Sequence, residues 1–191
     1  DHYKNLLANA EAQALYFRAV ADQSRIPIII DNWPQATGVD IPAEAVAALS
    51  EHPNIIGIKD SGGNLATLAE ILRLVPSDFS VLTGSAALLQ AAMALGAKGA
   101  ILAVGCIAPE ACLTIMRLAR DGDVAQAAAW QLKLLPVARA VTTQFGISPL
   151  KRHLMLKNFS MPMSAPKPDS VTTKPSGPTS LSAILSATME L

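Results

Sequence analysis

The stretch NIIGIKDSGG (residues 54–63) joins a short apolar run to one lysine, one acid and two glycines. The apolar run predicts a strand buried on both faces, as in parallel sheets, and the glycines predict the turn that ends it. Lys59 therefore lies where a buried strand emerges. A lysine packed against apolar walls loses hydration, which disfavours its charged form, and a neutral amine can form a Schiff base with a carbonyl. The alternative is a strand-end lysine whose long side chain reaches the solvent.

The composition is that of one folded domain, with or without an appendage. The chain has 191 residues, of which 51% are hydrophobic and 16% are charged, which is apolar enough for a large core. Fifteen basic and fifteen acidic residues cancel, so we expect neither nucleic acid nor a membrane surface as a partner. Cys106 and Cys112 fit no metal motif and no disulfide framework, so we expect no bound metal and an intracellular compartment, cytoplasmic or mitochondrial.

Short apolar strands alternate with helices along the first 122 residues. We predict strands over residues 26–30, 54–59, 80–83 and 99–104, and helices over residues 5–22, 42–50, 64–75, 85–95 and 109–120. This order is typical of a parallel sheet with helical crossovers. Four strand–helix units fit half of an eight-stranded barrel or part of an open doubly wound sheet.

The character of the sequence changes after Gly122. Asp123 is expected to cap a helix that runs to Gln144 and is interrupted or kinked at Pro136, and a second helix is predicted over residues 146–158. Residues 1–122 are therefore interpreted as the α/β unit and residues 123–160 as a helical extension. Residues 161–191 are a Pro/Ser/Thr-rich tail with a possible short helix at its end.

Both α/β architectures place functional residues on the loops that follow the strands. The candidates there are Asp31, Asn32, residues 59–63, the pair Gly84-Ser85 and Gly105. The backbone N–H groups at Gly84-Ser85 could hold an anion, although a serine N-cap is the plainer interpretation. Neither of the glycine-rich phosphate-binding motifs occurs, so we expect no nucleotide cofactor.

Four motifs in order resemble the dihydrodipicolinate synthase/N-acetylneuraminate lyase family. They are IIIDN (28–32) followed by Pro34 and Thr37-Gly38, NIIGIKDSG (54–62), VLTGS (81–85) and GAKGAI (96–101). The resemblance covers about residues 1–160, and it looks closest to the 4-hydroxy-2-oxoglutarate aldolase branch at residues 52–54, 141–142 and 145–147. It implies a class I, Schiff-base aldolase on a (β/α)₈ TIM barrel, of which this chain is the C-terminal half, strands five to eight, followed by the family's helical extension.

The resemblance also implies roles for single residues. Lys59 matches the imine-forming lysine, and Gly84 matches the glycine that ends the seventh strand and is expected to bind substrate. Ile101 matches the residue that lines the bound pyruvyl group, and Thr37 lies in the loop after the fifth strand, so both are expected to bind substrate. The implied partners are small 2-oxo acids, pyruvate and glyoxylate, and further copies of the chain in a homo-oligomer. No cofactor is implied.

The chain departs from the family in two ways. Asp31 stands where the family usually has a proton-relaying tyrosine, and Ala36 stands where dihydrodipicolinate synthases carry an arginine. A carboxylate could act as a base, although it would repel the substrate carboxylate and favour charged Lys59. Strands one to four of the barrel have no counterpart in this sequence, so we expect a fragment, a truncated gene product or a chain that pairs with another copy.

Three functional hypotheses follow. The first is a lyase that cleaves or forms a C–C bond of a 2-oxo acid such as 4-hydroxy-2-oxoglutarate, with Lys59 and Asp31 as its catalytic residues. It requires an uncharged Lys59 that faces a cavity for a small ketone. A dihydrodipicolinate synthase-like enzyme and a 2-keto-3-deoxy-sugar-acid aldolase are alternatives within the family. The second is a truncated, non-catalytic remnant of the family. The third, an unrelated open α/β binding domain, lacks the phosphate-binding motifs.

Overall fold

The computed structural model describes residues 9–144 together with residues 148 and 151. The helices are α1 (Ala10–Gln23), α2 (Pro34–Thr37), α3 (Ala43–Ser50), α4 (Leu65–Leu74), α5 (Leu89–Leu95), α6 (Pro109–Arg120) and α7 (Val124–Arg139). The strands are β1 (Ile28–Asn32), β2 (Ile55–Asp60), β3 (Ser80–Thr83) and β4 (Gly99–Ala100). Short 3₁₀ segments at Ala86–Leu88 and Ala103–Cys106 precede α5 and α6, and a π-helical segment, Ala140–Gln144, follows α7.

The four strands form one parallel sheet in the order β1-β2-β3-β4. Asp31, Lys59 and Leu82 are aligned across the first three strands. Because side chains alternate between the faces of a sheet, these three residues share one face. This register brings the strand-end lysine and the strand-end aspartate into neighbouring positions. The predicted parallel α/β architecture is confirmed.

The two faces of the sheet differ in burial. Ile30, Ile58 and Val81 are buried beneath the helices and belong to the main hydrophobic core. On the opposite face, which carries Lys59, Ile29 is 44% exposed and Ile101 is 52% exposed. Burial of both faces was therefore predicted wrongly for the described residues, because helices cover only one of them.

Close backbone approach explains a glycine inside β2. A Cβ atom on Gly57 would overlap the carbonyl oxygen and the Cβ of Ser80 on β3. Ile56, the residue before it, lies at a shift in the register of β1 with β2 and is exposed. A one-residue bulge of this kind bends and twists a strand locally. The glycine thus allows β2 and β3 to run close together just below the lysine.

The first strand ends later than predicted. We expected a strand over residues 26–30 and a loop from residue 31, whereas β1 spans Ile28–Asn32. Asp31 and Asn32 stay in the strand because they pair with Lys59 and Asp60 of β2. The chain then turns through the four-residue helix α2, which Gly38 ends in the left-handed conformation with φ of 71°.

Two predictions near the last strands need correction. The strand predicted over residues 99–104 is only Gly99–Ala100, because the chain turns into a 3₁₀ segment at Ala103. Ile101 therefore follows the strand, although its N–H still donates to the Thr83 carbonyl oxygen at 3.0 Å. Ser85 precedes a 3₁₀ segment rather than an α-helix, and its side chain makes no capping hydrogen bond.

The predicted helix after Gly122 is present as α7. Asp123 caps it by accepting a hydrogen bond from the N–H of Gln126 at 3.1 Å. The helix passes through Pro136 and becomes π-helical from Ala140. It packs against α6 and contributes Leu134 to the same core as the sheet. The predicted helix over 146–158 and the tail over 161–191 fall outside the described residues apart from positions 148 and 151, so the domain limits at 122 and 160 stay predictions.

Residues 79–97 carry no charge and form a run long enough to suggest a membrane-crossing helix. That run contains β3, the 3₁₀ segment and α5. Among the described residues, none of the helices combines the length and the hydropathy needed to cross a bilayer.

Candidate active site

Lys59, the second-to-last residue of β2, forms an ion pair with Asp31, the second-to-last residue of β1. Lys59 Nζ donates to Asp31 Oδ2 at 3.1 Å. The lysine side chain is 19% exposed and the aspartate side chain is 53% exposed. Strand register is the cause, because Asp31 and Lys59 are direct partners in the β1–β2 pairing. The structure therefore brings together the two residues that the sequence predicted as catalytic, on the open face of the sheet.

Gly84 leaves room for the lysine. A Cβ atom at this position would overlap the Ser61 hydroxyl and would lie 2.9 Å from Lys59 Cε. The Gly84 N–H donates to the Asp60 carbonyl oxygen at 2.6 Å, which holds β3 tightly against β2 at this level. Position 84 therefore cannot carry a side chain without displacing Lys59 of β2 or Ser61 of the following loop.

Ser61 is a neighbour of the lysine to which sequence reasoning gave no individual role. The Ser61 hydroxyl and Lys59 Cε both approach the position that a Cβ atom on Gly84 would occupy. Its backbone N–H donates to the Asn32 carbonyl oxygen at 2.8 Å, which extends the β1–β2 pairing by one residue. Nothing in the local sequence distinguishes Ser61 from an ordinary turn serine, because its position depends on where β3 ends.

Thr37 and Ile101 occupy different surroundings. The Thr37 hydroxyl lies 3.1 Å from the Trp33 carbonyl oxygen and 2.9 Å from that of Val39, so it closes the turn at the end of α2. Ile101 follows β4 on the lysine's face of the sheet by alternation from Gly99. The substrate-binding roles expected of Thr37, Ile101 and Gly84 stay predictions.

A cleft of about 240 Å³ opens beside Asp31 on the side away from β2. It is bounded by α1 and by the segment around α2, with Asp31, Trp33 and Thr37 among its lining residues. Lys59 does not line it. We had expected the lysine to face a cavity for a small ketone. In the described residues the lysine instead borders the open sheet face, because nothing packs over the exposed Ile29 and Ile101 there.

A buried polar cluster lies on the other face of the sheet, directly behind the ion pair. Asn32 is 1% exposed and Asp60 is 4% exposed. The Asn32 amide donates to an oxygen of Asp60 at 2.8 Å and to Asp40 Oδ1 at 2.8 Å. Burial raises the pKa of Asp60, while hydrogen bonds from Asn32 and Gly62 oppose that rise. The cluster therefore contains a buried carboxylate, Asp60, whose ionised form is stabilised by the hydrogen bond from Asn32.

A metal site needs several histidine, cysteine or carboxylate groups close together. Across residues 9–144 and the two further described positions, no three of them come together as a metal cluster. Cys112 is buried, and burial raises the pKa of its thiol. Cys106 is exposed.

A parallel sheet of four strands with helices over one face is the arrangement found in part of a (β/α)₈ barrel. A solved 4-hydroxy-tetrahydrodipicolinate synthase from Methylacidiphilum fumariolicum SolV superposes with a TM-score of 0.78 at 26% identity. The match covers 95% of this chain and 60% of that one. The predicted fold class is confirmed, and the share of the longer chain that is matched agrees with a partial barrel.

Residues 5–187 match the model of the Dihydrodipicolinate synthetase family, and the chain belongs to that family. A curated 4-hydroxy-tetrahydrodipicolinate synthase from Exiguobacterium sp. is 32% identical over 146 residues, which are 76% of this chain and 50% of the relative. Another from Methanothrix thermoacetophila is 35% identical over 153 residues, 79% of this chain and 52% of the relative. The chain thus spans about half the length of these relatives. Family membership confirms the predicted resemblance at that level.

Proposed function

We propose that this chain carries the reactive lysine of a class I, pyruvate-dependent aldolase. Lys59 attacks the C2 carbonyl of a 2-oxo acid, water leaves, and a protonated imine forms. When the C3–C4 bond breaks, its electron pair moves into the enamine, and the C4 hydroxyl loses its proton to become a carbonyl. Protonation of C3 and hydrolysis of the imine then release pyruvate and the free amine.

The observation that carries this proposal is the Lys59–Asp31 pair at the strand ends of a barrel sheet. An ammonium is not a nucleophile, so its proton must leave before attack. Asp31 Oδ2, at 3.1 Å, is within hydrogen-bond reach of that proton. Asp31 therefore acts as the base where the family usually places a tyrosine. As an anion it repels the substrate carboxylate, so other residues must hold that group.

For the substrate we infer a 4-hydroxy-2-oxo acid such as 4-hydroxy-2-oxoglutarate, which would yield pyruvate and glyoxylate. Ala36 supports this choice, because its methyl group offers no countercharge for the carboxylate of the second substrate of a synthase. The relatives named 4-hydroxy-tetrahydrodipicolinate synthase favour the other branch. Both reactions begin with the same pyruvyl imine, so the lysine chemistry does not depend on this choice.

The open sheet face supports two inferences, an oligomeric active form and, as the alternative, a non-catalytic remnant. Ile29 and Ile101 are exposed on the sheet face that carries Lys59, and the lysine side chain itself is 19% exposed, so water reaches the lysine in the described residues. An imine is hydrolysed by water, and closed active sites exclude it. We infer that the active form is a homo-oligomer in which this face is covered. The same openness supports the second candidate, a non-catalytic remnant of the family.

Borohydride trapping decides between the two. The full chain is incubated with pyruvate and sodium borohydride, digested and analysed by peptide mass spectrometry. The expected result is a reduced pyruvyl adduct on Lys59 and none on Lys98, whose Nζ donates to the Asp78 carbonyl oxygen. Lys59→Arg keeps the positive charge and should abolish the adduct. A folded wild-type chain without the adduct, and without a pyruvate-dependent rise in melting temperature, would establish the remnant.

A further inference from the structure

The buried cluster behind the ion pair connects both of its members through their chain neighbours. Asn32 follows Asp31 in β1, and Asp60 follows Lys59 in β2. Asn32 and Asp60 are register partners, one step beyond the paired Asp31 and Lys59. Since side chains alternate, the cluster lies on one face of the sheet and the ion pair on the other. Any shift of Asn32 along the strand is therefore transmitted directly to Asp31.

Asn32 makes an unusually complete set of contacts for one side chain. Its amide nitrogen donates to Asp40 Oδ1 and Asp60 Oδ1, both at 2.8 Å. Its Oδ1 accepts from the N–H of Ile41 at 3.2 Å. Both amide hydrogens are thus used, and the oxygen has a partner as well. The residue ties the end of β1 to the end of β2 and to the segment that leads into α3.

Asp60 extends the same cluster to a third strand. Its carboxylate also accepts from the Gly62 N–H at 3.2 Å, which shapes the loop after the lysine. Its carbonyl oxygen accepts from the Gly84 N–H at 2.6 Å. The strand ends that surround Lys59 are consequently fixed by one connected set of hydrogen bonds centred on two buried side chains.

We propose that Asn32 is a positioning residue that sets the separation of Asp31 and Lys59 from the opposite side of the sheet. Backbone pairing alone leaves strand ends free to fray, because the last ladder bonds have no further neighbours. A buried carboxylate costs free energy unless it is hydrogen-bonded, so loss of the Asn32 amide would force Asp60 to move or to recruit water. Either response displaces the end of β2 and with it Lys59.

The first experiment needs no substrate and therefore does not depend on the proposed function. The acylation rate of Lys59 by a small amine-reactive ester is measured by peptide mass spectrometry with and without Asp31→Asn. In the native background, removing the carboxylate that contacts the amine should change the rate several-fold. In an Asn32→Ala background the pair is already loosened, so Asp31→Asn should change the rate little. Such non-additivity is the mark of two coupled sites.

Asn54→Ala is the matched control. The Asn54 amide donates to the carbonyl oxygens of Ala21 and Ser24 at 2.9 and 3.0 Å, just before β2 begins. It is another asparagine that bridges two acceptors, before the start of β2 rather than at the end of the sheet that carries Lys59. In its background Asp31→Asn should keep its full effect on Lys59. An equal loss of that effect in both backgrounds, or its retention in Asn32→Ala, overturns the proposal.

Asp40→Ala covers the case in which Asn32→Ala does not fold. Asp40 is exposed, so its removal takes one hydrogen bond from Asn32 without opening the core. The effect of Asp31→Asn should then shrink in the same direction but less. If Asp40→Ala leaves that effect unchanged while Asn32→Ala is unfolded, the positioning role is rejected.

The second experiment, which rests on the proposed function, measures imine formation at saturating pyruvate. Asn32→Ala should slow it by about 10-fold to 100-fold, the scale expected when reacting groups are misplaced by about 1 Å, while the half-saturating pyruvate concentration changes little. Asn54→Ala should leave the rate unchanged. A wild-type chain that forms no imine removes the proposed function, and the acylation experiment still decides the role of Asn32.

Discussion

Lys59 and Asp31 are joined by a 3.1 Å contact between Nζ and Oδ2 because they are direct partners in a parallel strand pairing. The contact therefore follows from the backbone register. It gives the amine a hydrogen-bond acceptor that belongs to a rigid element. Sites built on strands hold their geometry more precisely than sites built on loops.

Asp31→Asn should slow formation of the pyruvyl adduct by about 100-fold or more, which is the lower end of the contribution of a general base. The amide cannot take the lysine proton but keeps the size of the side chain. Single-turnover borohydride trapping at saturating pyruvate measures the change. Asp22→Asn serves as the control, because Asp22 pairs with His52 rather than with the lysine. Equal rates for Asp31→Asn and wild type would exclude Asp31 as the base.

Gly84→Ala should reduce adduct formation strongly, since the added methyl group would overlap the Ser61 hydroxyl and crowd Lys59 Cε. Gly105→Ala is a matched control, because a Cβ atom there meets nothing within 4 Å. Trapping rates and melting temperatures are measured for both. Loss of the adduct with a folded Gly84→Ala chain is the expected outcome. A normal rate in that variant would show that the lysine does not need the space above Gly84.

The pH dependence of stability should change in Asp60→Asn. Burial raises the folded-state pKa of Asp60 above the unfolded value of about 3.9. As pH rises through this interval, the unfolded chain releases the proton first, so the Asp60 contribution to stability declines. The variant lacks this decline. Its free energy of unfolding, measured by urea denaturation, should therefore gain on that of wild type as pH rises from about 4 towards neutrality, and a difference independent of pH would contradict the burial effect.

Two residues before helical segments should differ in their contribution to stability. Asn64 caps α4 by accepting from the N–H groups of Ala66 and Thr67 at 3.0 and 3.3 Å. Asn64→Ala should therefore lower the free energy of unfolding by about 1 kcal/mol. Ser85 makes no capping hydrogen bond, so Ser85→Ala should cost far less. Urea denaturation of both variants provides the measurement, and equal losses would contradict this distinction.

The sequence predicted the helices and strands correctly where strongly apolar segments define them. The α6 limits, 109–120, and the β3 limits, 80–83, were predicted as observed. Strand ends were less predictable, because β1 continues into the polar Asp31 and Asn32 through pairing with β2. Such pairing is a tertiary effect that local composition does not reveal. The end of β4 is set in the same way by the turn at Ala103.

The sequence predicted some members of the candidate site but not their arrangement. Lys59 and Asp31 were identified from the motifs, whereas their contact depends on register. The cluster partner Asp40 was missed, since eight residues separate it from Asn32 and no motif connects them. Lys59 was also expected to face a cavity, but enclosure requires elements on the open side of the sheet.

The close approach at Gly57 has a consequence for where variation is tolerated around the lysine. Gly57 and Lys59 are two residues apart on β2, and their neighbours on β3 are Ser80 and Leu82. Any side chain at 57 would wedge β3 outwards and carry Gly84 away from Lys59 with it. Gly57, a buried residue without functional groups, thus controls the distance between β2 and β3 beside the Lys59 amine. Substitutions at position 57 would alter the reactivity of Lys59 without touching a reacting atom.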